Sequence, residues 1–394
     1  MSLVDDVDVN LEVERAERLM PYLVDADAHV NPPPGMWRDY LSPKFRDLAP
    51  VLESDGEFDY VVFEGQRRKL NLMSSQAGRT FAQYKNSGRL SDMRLGGWMA
   101  PQRLDDMDRD GVDLAVIYGG GPLGTADFDL YVDSFAGYNR WVADFCSHDP
   151  RRFRHVAYIP MLDVDLAIKM MREARKAGAT AVNLPAFPQS KAAFTKADAQ
   201  AQALTGDAQG TRSYRDAEFD PLWQAACDLD LALTFHLGGR VSRFTDKANF
   251  LPDMPMARLA MCEVGAILIY GGVFDRFPSL RIGLIECGVG WIPWATEFMD
   301  RTWEMQRHWT ECAIKEKPSF YFDQNIYASF ISDPAGIRQR DHAGCRNIMW
   351  SSDYPHSETT FPNSQKTLAM NFEGVPPAER DWIIAGCAEK FYGL

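Results

Sequence analysis

The sequence predicts an α/β fold, specifically a (β/α)₈ TIM barrel with insertions at its C-terminal mouth, and three observations lead there. Eight short β-branched or apolar runs alternate with longer stretches of helical periodicity. The runs are apolar on both faces, as parallel strands are, and enough chain separates them for the crossover helices that parallel pairing requires. An open doubly wound sheet is the competing topology, but no GxGxxG stands at the first strand-to-helix turn.

Taken in order, an acidic arm occupies residues 1–21 and one barrel domain is expected over 22–394. The first strand is YLVDADAHV, from Tyr22 to Val30. The stretch 31–102 is too long for a plain loop and holds the pieces NPPPGMW and EGQRRKL, which marks an insertion over the barrel mouth. Strands follow at Gly111 to Gly119, Phe153 to Pro160 and Ala179 to Pro185, each bounded by Gly, Pro or Asn. A second insertion over about 187–214 has few large apolar residues and reads as a mobile lid or a small exposed helix. The last four strands are Leu229 to Leu237, Leu280 to Gly288, Phe320 to Ser329 and Asn347 to Pro355. Segments such as DVDLAIKMMREARKAG and DPLWQAACDLD supply the helices.

The chain has 394 residues, 46% hydrophobic and 25% charged, so it can bury a sizeable core and is not of a disordered class. Its formal net charge of −13 opposes nucleic acid and anionic membrane surfaces as partners. Cys146, Cys227, Cys262, Cys287, Cys312, Cys345 and Cys387 are odd in number and scattered, which suits reduced thiols. The N-terminal residues lack the basic and apolar regions of a secretory signal, and no run is long enough to span a bilayer; a cytoplasmic protein is expected.

In such barrels chemistry sits at the carboxyl ends of the strands. The first strand closes with Asp25, Asp27 and His29, which strict alternation places on one face. The fifth ends in His236 before Gly238 and Gly239, leaving an imidazole, the commonest metal ligand, beside flexible backbone. The sixth delivers Glu286 among apolar residues, and the eighth delivers Asp353 with His356 just beyond. Each has an ordinary reading: a turn-capping Asp, a satisfied core His, a salt bridge from Glu286 to Arg281 or Arg301. Their coincidence at independently predicted strand ends favours a metal site with acid–base groups, in which Asp353, Glu286 and His356 are the candidate catalytic residues.

These residues lie in DADAHVNPP with MWRDYL behind it, TFHLGG, YGGVFDRFPSLRIGLIECGVGWIPW and MWSSDYPHSE. In that order and spacing the chain resembles, over essentially its full length, the amidohydrolase superfamily, in the branch of aminocarboxymuconate semialdehyde decarboxylase and related aromatic acid decarboxylases. The resemblance implies one divalent metal held by Asp27, His29, His236 and Asp353. It also has departures. The family's HxH is DxH here, the sixth-strand position that is often His is Glu286, and the fourth strand offers Asn183 in place of a metal-bridging Lys or Glu. A harder, more anionic site extends the expected ion from zinc to manganese or iron.

The leading reading is a metal-dependent enzyme that hydrolyses or decarboxylates a carboxylate- or carbonyl-bearing hydrophobic or aromatic substrate through metal-bound water. The alternative, which the resemblance also implies, is a non-heme diiron monooxygenase acting on a terpenoid, steroid or similar CoA-linked acyl substrate, with Asp25, Glu286 and His356 as extra ligands. Its CoA phosphates would need cations, for which Arg67, Arg68 and Lys69 are the local candidates, a solvated basic turn being the plainer reading. Met36, Trp37, Trp98, Trp291 and Trp294 can line an apolar pocket or simply fill the core. A non-catalytic binding barrel is the third possibility, opposed by the intact ligand set. WIPWATEFMDRTWEMQRHW offers an apolar face for a homodimer, the state that relatives often adopt.

Overall fold

The computed structural model describes residues 9–10, 13–119, 121–189, 205–238 and 247–394. Its twelve described strands, in chain order, are β1 (Val24–Val30), β2 (Val51–Ser54), β3 (Asp59–Phe63), β4 (Gln66–Asn71), β5 (Ser87–Gly88), β6 (Leu114–Gly119), β7 (Phe153–Tyr158), β8 (Ala181–Leu184), β9 (Ala232–His236), β10 (Ile282–Ile285), β11 (Ile326–Phe330) and β12 (Ile348–Trp350). β1 and β6–β12 are the eight predicted strands, trimmed at their ends, and they pair in parallel in the order β1-β6-β7-β8-β9-β10-β11-β12. Residues just past β12 close the ring: Asp353 N donates to Asp27 O at 3.0 Å, and His29 N donates to Tyr354 O at 2.6 Å. The result is a TIM barrel.

Burial explains why these runs are strands. Every residue of β1, β6, β8, β9, β10, β11 and β12 is buried, so each strand is covered by the barrel interior on one face and by helices on the other. The helices begin at sequence-coded caps. Asp127 accepts from Leu130 N at 3.0 Å to start Phe128–Cys146, and Asp163 accepts from Leu166 N at 2.9 Å to start Val164–Lys176.

Two local expectations need correction. The segment Pro318–Asn325, its FYFDQN read as strand, is helical: Pro318 pre-sets the first turn, and Asn325 ends the helix by donating to Pro278 O at 3.0 Å and Leu280 O at 2.9 Å. The basic turn expected at Arg67, Arg68 and Lys69 is strand β4 of a separate antiparallel sheet, in the order β2-β3-β4-β5. A tight hairpin makes it, because Glu64 and Gly65 both take positive φ, 47° and 74°, as a two-residue turn between β3 and β4 requires. Leu70, Leu72 and Met93 form the small core of this insertion. It is tied to the barrel by Gln76 N and Ala77 N, which donate to Pro355 O at 2.9 and 3.1 Å, and by Asn31 Nδ2, which donates to Ser74 O at 2.8 Å.

The N-terminal arm is tied along the barrel wall, where Leu19 N and Met20 N each donate to Gln365 Oε1 at 2.8 Å. Most of the second predicted insertion, residues 190–204, lies outside the described residues, as does Gly239. All seven cysteines are free thiols. No helix among the described residues is long and apolar enough to cross a membrane.

Candidate metal centre

Strand ends bring five ligand-type side chains together in a buried cluster, with a sixth at its rim. Asp27 and His29 come from β1, His236 from the end of β9, Glu286 from just after β10, and Asp353 with His356 from the loop after β12. Asp27 Oδ1 lies 3.2 Å from both His29 Nε2 and His236 Nε2. His29 Nε2 is 3.3 Å from Asp353 Oδ1, and Glu286 Oε2 is 3.6 Å from His236 Nε2. His356 stacks on His29 with ring centroids 3.9 Å apart and sets its Nδ1 2.9 Å from Asp353 Oδ1. One ligand atom each from Asp27, His29, His236 and Glu286 falls within 4.8 Å of the others, and so does one each from His29, Glu286, Asp353 and His356.

Hydrogen bonding accounts for only part of this proximity, in the His236 Nε2 and Asp27 Oδ1 pair at 3.2 Å. Asp27 Oδ2, His29 Nε2, His236 Nδ1 and Asp353 Oδ1 are buried without a geometrically sound partner. Leaving one such atom unsatisfied costs about 1–3 kcal/mol, and four in one place are an expensive arrangement unless a further group completes them. Imidazole nitrogens and carboxylate oxygens converging at this spacing fit a divalent cation.

Electrostatics agree with geometry. Burial favours the neutral form of Asp27, but the His236 and His29 imidazoles outweigh it and hold the carboxyl far below the usual range. His29 is opposed by burial yet pushed up to about 10 by Asp27 and Asp353. Burial, with Asp353 and Asp27 close by, drives Glu286 well above the usual carboxylate range. Asp353 is disfavoured by burial but lowered by His356 and His29, while burial and the neighbouring His29 lower His356. Asp27 and Asp353 oppose ionisation of Glu286, a repulsion among the three carboxyls that a bound cation would relieve.

Two members sit on strained backbone: Glu286 at φ 59° and Asp353 at φ 56°, a region that non-glycine residues seldom occupy. Ser329 Oγ accepts from Glu286 N at 2.8 Å and pins the first of these. The second leads directly into the closure bond of Tyr354 O with His29 N. Beneath the site, buried Arg103 donates to His29 O at 3.1 Å and stacks on Tyr354 at 3.9 Å. Tyr354 Oη donates to Asp106 at 2.6 Å, and Asp106 is held bidentately by Arg94 at 2.8 and 2.6 Å.

Several candidates fall elsewhere. Asp25 is not in the cluster: a register shift in β1 between Asp25 and Ala28 breaks the assumed alternation, and its carboxyl accepts from the Ser352 amide at 2.8 Å and from the Ser352 hydroxyl. Burial raises Asp25 to about 7, against the lowering effect of those bonds. Arg67, Arg68 and Lys69 are exposed on β4, where Arg67 pairs with Glu53 at 3.2 Å and covers the Tyr60 ring, and Lys69 covers Phe58. Met36 and Trp37 are core, Trp291 is bonded to Cys287 O at 3.0 Å, Trp98 packs on the inserted sheet, and Trp294 is exposed. Glu286 pairs with neither Arg281, which binds Asp230 at 2.9 Å, nor Arg301. Its cation is Arg258, at 3.3 Å and also bound to Glu358, a partner that no local motif announced.

A barrel whose strand ends gather buried imidazoles and carboxylates has the architecture of the metal-dependent barrel enzymes. The chain belongs to the amidohydrolase family, whose model matches residues 24–394. Among curated relatives it is 23% identical over 315 residues to gamma-resorcylate decarboxylase of Polaromonas sp., covering 74% of this chain and 87% of that protein. It is 19% identical over 309 residues to 2-amino-3-carboxymuconate-6-semialdehyde decarboxylase of Dictyostelium discoideum, covering 75% and 77%. Its fold matches the dihydroxybenzoic acid decarboxylase of Polaromonas sp. solved with manganese and 2-nitroresorcinol, with a TM-score of 0.63, 17% identity, and 95% and 98% coverage.

Proposed function

We propose that the chain is a metal-dependent carbon–carbon lyase that removes CO₂ from an aromatic carboxylate. The observation that carries this reading is the convergence of Asp27, His29, His236, Glu286 and Asp353 with four buried polar atoms lacking partners. The curated relatives are decarboxylases, and the manganese of one relative's solved structure makes manganese the first ion to try. A divalent ion seated there would supply a Lewis acid that orients the substrate's carboxylate and an adjacent oxygen.

The chain's own residues do the rest. Asp27, His29 and His236 hold the seat, and Arg103, through the His29 carbonyl, fixes the β1 backbone. Decarboxylation requires a proton at the ring carbon, then breakage of its bond to the carboxyl carbon, whose electron pair returns to the ring as CO₂ leaves. Asp353 Oδ1 is the atom suited to deliver that proton, and His356, with a quarter of its side chain exposed, links it to solvent. Glu286, with one oxygen on Arg258 and the other toward His236, holds the opposite edge. The curated relatives are decarboxylases, which supports the lyase reading over the diiron oxygenase.

The experiment is CO₂ release from a panel of hydroxylated benzoates by manganese-loaded protein and by Asp353→Asn. Turnover with at least a ~100-fold loss in the variant is expected, as for removal of a general acid. Equal activity in the variant, or two irons per chain with oxygen consumption, overturns the reading.

A further inference from the structure

A buried polar network reaches the metal centre from the side of the first insertion. The helix Ala100–Asp110 carries Arg103 and Asp106 three residues apart, and therefore on one face. Asp106 accepts from Arg94 Nε at 2.8 Å and from Arg94 Nη2 at 2.6 Å, and its Oδ2 also accepts from Tyr354 Oη at 2.6 Å. Arg103 lies over the Tyr354 ring at 3.9 Å and donates to the His29 carbonyl at 3.1 Å. All four of these side chains are buried.

The network ends on cluster residues. Tyr354 follows Asp353, whose backbone at φ 56° persists only where its surroundings determine it. The Tyr354 carbonyl accepts from His29 N at 2.6 Å, and Asp353 N donates to Asp27 O at 3.0 Å, so the placement of Tyr354 bears on the spacing of Asp27, His29 and Asp353 together. Closeness at the Asp106–Tyr354 bond is built into the sequence: a Cβ on Gly96 would fall 2.4 Å from Asp106 Oδ2 and 2.5 Å from Tyr354 Oη, and only glycine lets the backbone pass there. Stability alone does not account for two arginines and a carboxylate at this depth, since replacing a buried ion pair by well-packed apolar side chains is often neutral or stabilising.

We propose that Asp106 is a positioning residue for the metal centre, acting through Tyr354. Its carboxylate, oriented by Arg94, fixes the Tyr354 hydroxyl. Tyr354 in turn holds Asp353 on its strained backbone and, through its own carbonyl, the β1 segment that carries Asp27 and His29. Arg103 ties the same two places from the side, by its stacking on Tyr354 and its bond to the His29 carbonyl. The bonds of Asp106 run to Arg94 and Tyr354 and not to a cluster side chain, so its part is to set ligand spacing, not to react. The inference rests on the metal seat assigned above and not on the reaction proposed for it.

The test is calorimetric titration of manganese into the chelator-stripped chain and into its Asp106→Asn and Tyr354→Phe variants. The manganese Kd is expected to weaken about tenfold or more in both, the loss typical of removing an outer partner of a metal ligand. Tyr354→Phe keeps the ring over Arg103 and takes away only the hydroxyl, so it reads the proposal even where the charge change at Asp106 harms folding. Asp110→Asn is the control for stability alone: it lies one turn further along the same helix, its carboxyl accepts from Ser364, and its Kd should equal that of the unaltered chain. An unaltered Kd in folded Tyr354→Phe, an equal loss in Asp110→Asn, or no manganese binding by the unaltered chain each overturns the proposal. The expected pattern of Kd values in a chain that releases no CO₂ would sink the lyase reading alone and still support this one.

Discussion

Removing the cation from its seat should lower the melting temperature by an amount the chain length sets. A ligand that binds only the native state stabilises it by RT ln(1 + [L]/Kd), about 4.1 kcal/mol at a thousandfold excess over Kd. Unfolding entropy runs at about 2.1 cal/mol/K per residue, so a chain of 394 residues has a melting entropy near 0.8 kcal/mol/K. The quotient is a rise of about 5 °C on adding manganese to chelator-stripped protein, measured by differential scanning calorimetry at fixed pH. The same addition should do nothing to His236→Ala, which removes a ligand atom 3.2 Å from Asp27, nor to Asp27→Ala, which removes the other side of that pair. An equal rise in both variants would show the ion binding elsewhere. The absence of any rise with manganese, zinc or iron would refute the argument that the orphaned atoms of the cluster await a cation.

Three further outcomes follow from the packing. Tyr138→Phe should raise stability by about 1 kcal/mol in denaturant melts, because the Tyr138 hydroxyl is fully buried without a partner and its removal ends an uncompensated desolvation; a loss of stability would reveal a bond at that hydroxyl. His155 is buried and desolvation lowers it to about 4 from 6.5, so the folded state resists protonation and stability falls as pH drops from 6.5 toward 4, by at most about 3 kcal/mol. His155→Gln should flatten that limb, and an unchanged slope would refute the assignment. Asp110 has the opposite sign: burial, against the bonds from Ser364, raises it from 3.8 to about 6, so stability falls as pH rises between those values, again by at most about 3 kcal/mol. Asp110→Asn should remove the loss at pH 7 and leave pH 4 unaffected, and equal effects at the two pH values would contradict it.

What the sequence discloses follows from how local each signal is. All eight barrel strands were legible because burial on both faces writes a continuous apolar run, and their carboxyl ends marked all six of the cluster's members before any contact was known. The inserted sheet was hidden by charge on β4, although DYVVF beside the Glu64–Gly65 turn is a hairpin signal in its own right. Asp25 was misplaced because a register shift is invisible to a rule of strict alternation, and Arg258 was missed because an ion pair across 28 residues leaves no periodicity to read. The members that were found are also those that violate local rules most: carboxylates buried together, imidazole nitrogens at His29 and His236 without a hydrogen-bond partner, and positive φ at Glu286 and Asp353. A fold tolerates such costs where their relief comes from a partner outside the chain, which is why the least comfortable residues of the barrel, and not its best-packed ones, point to what it binds.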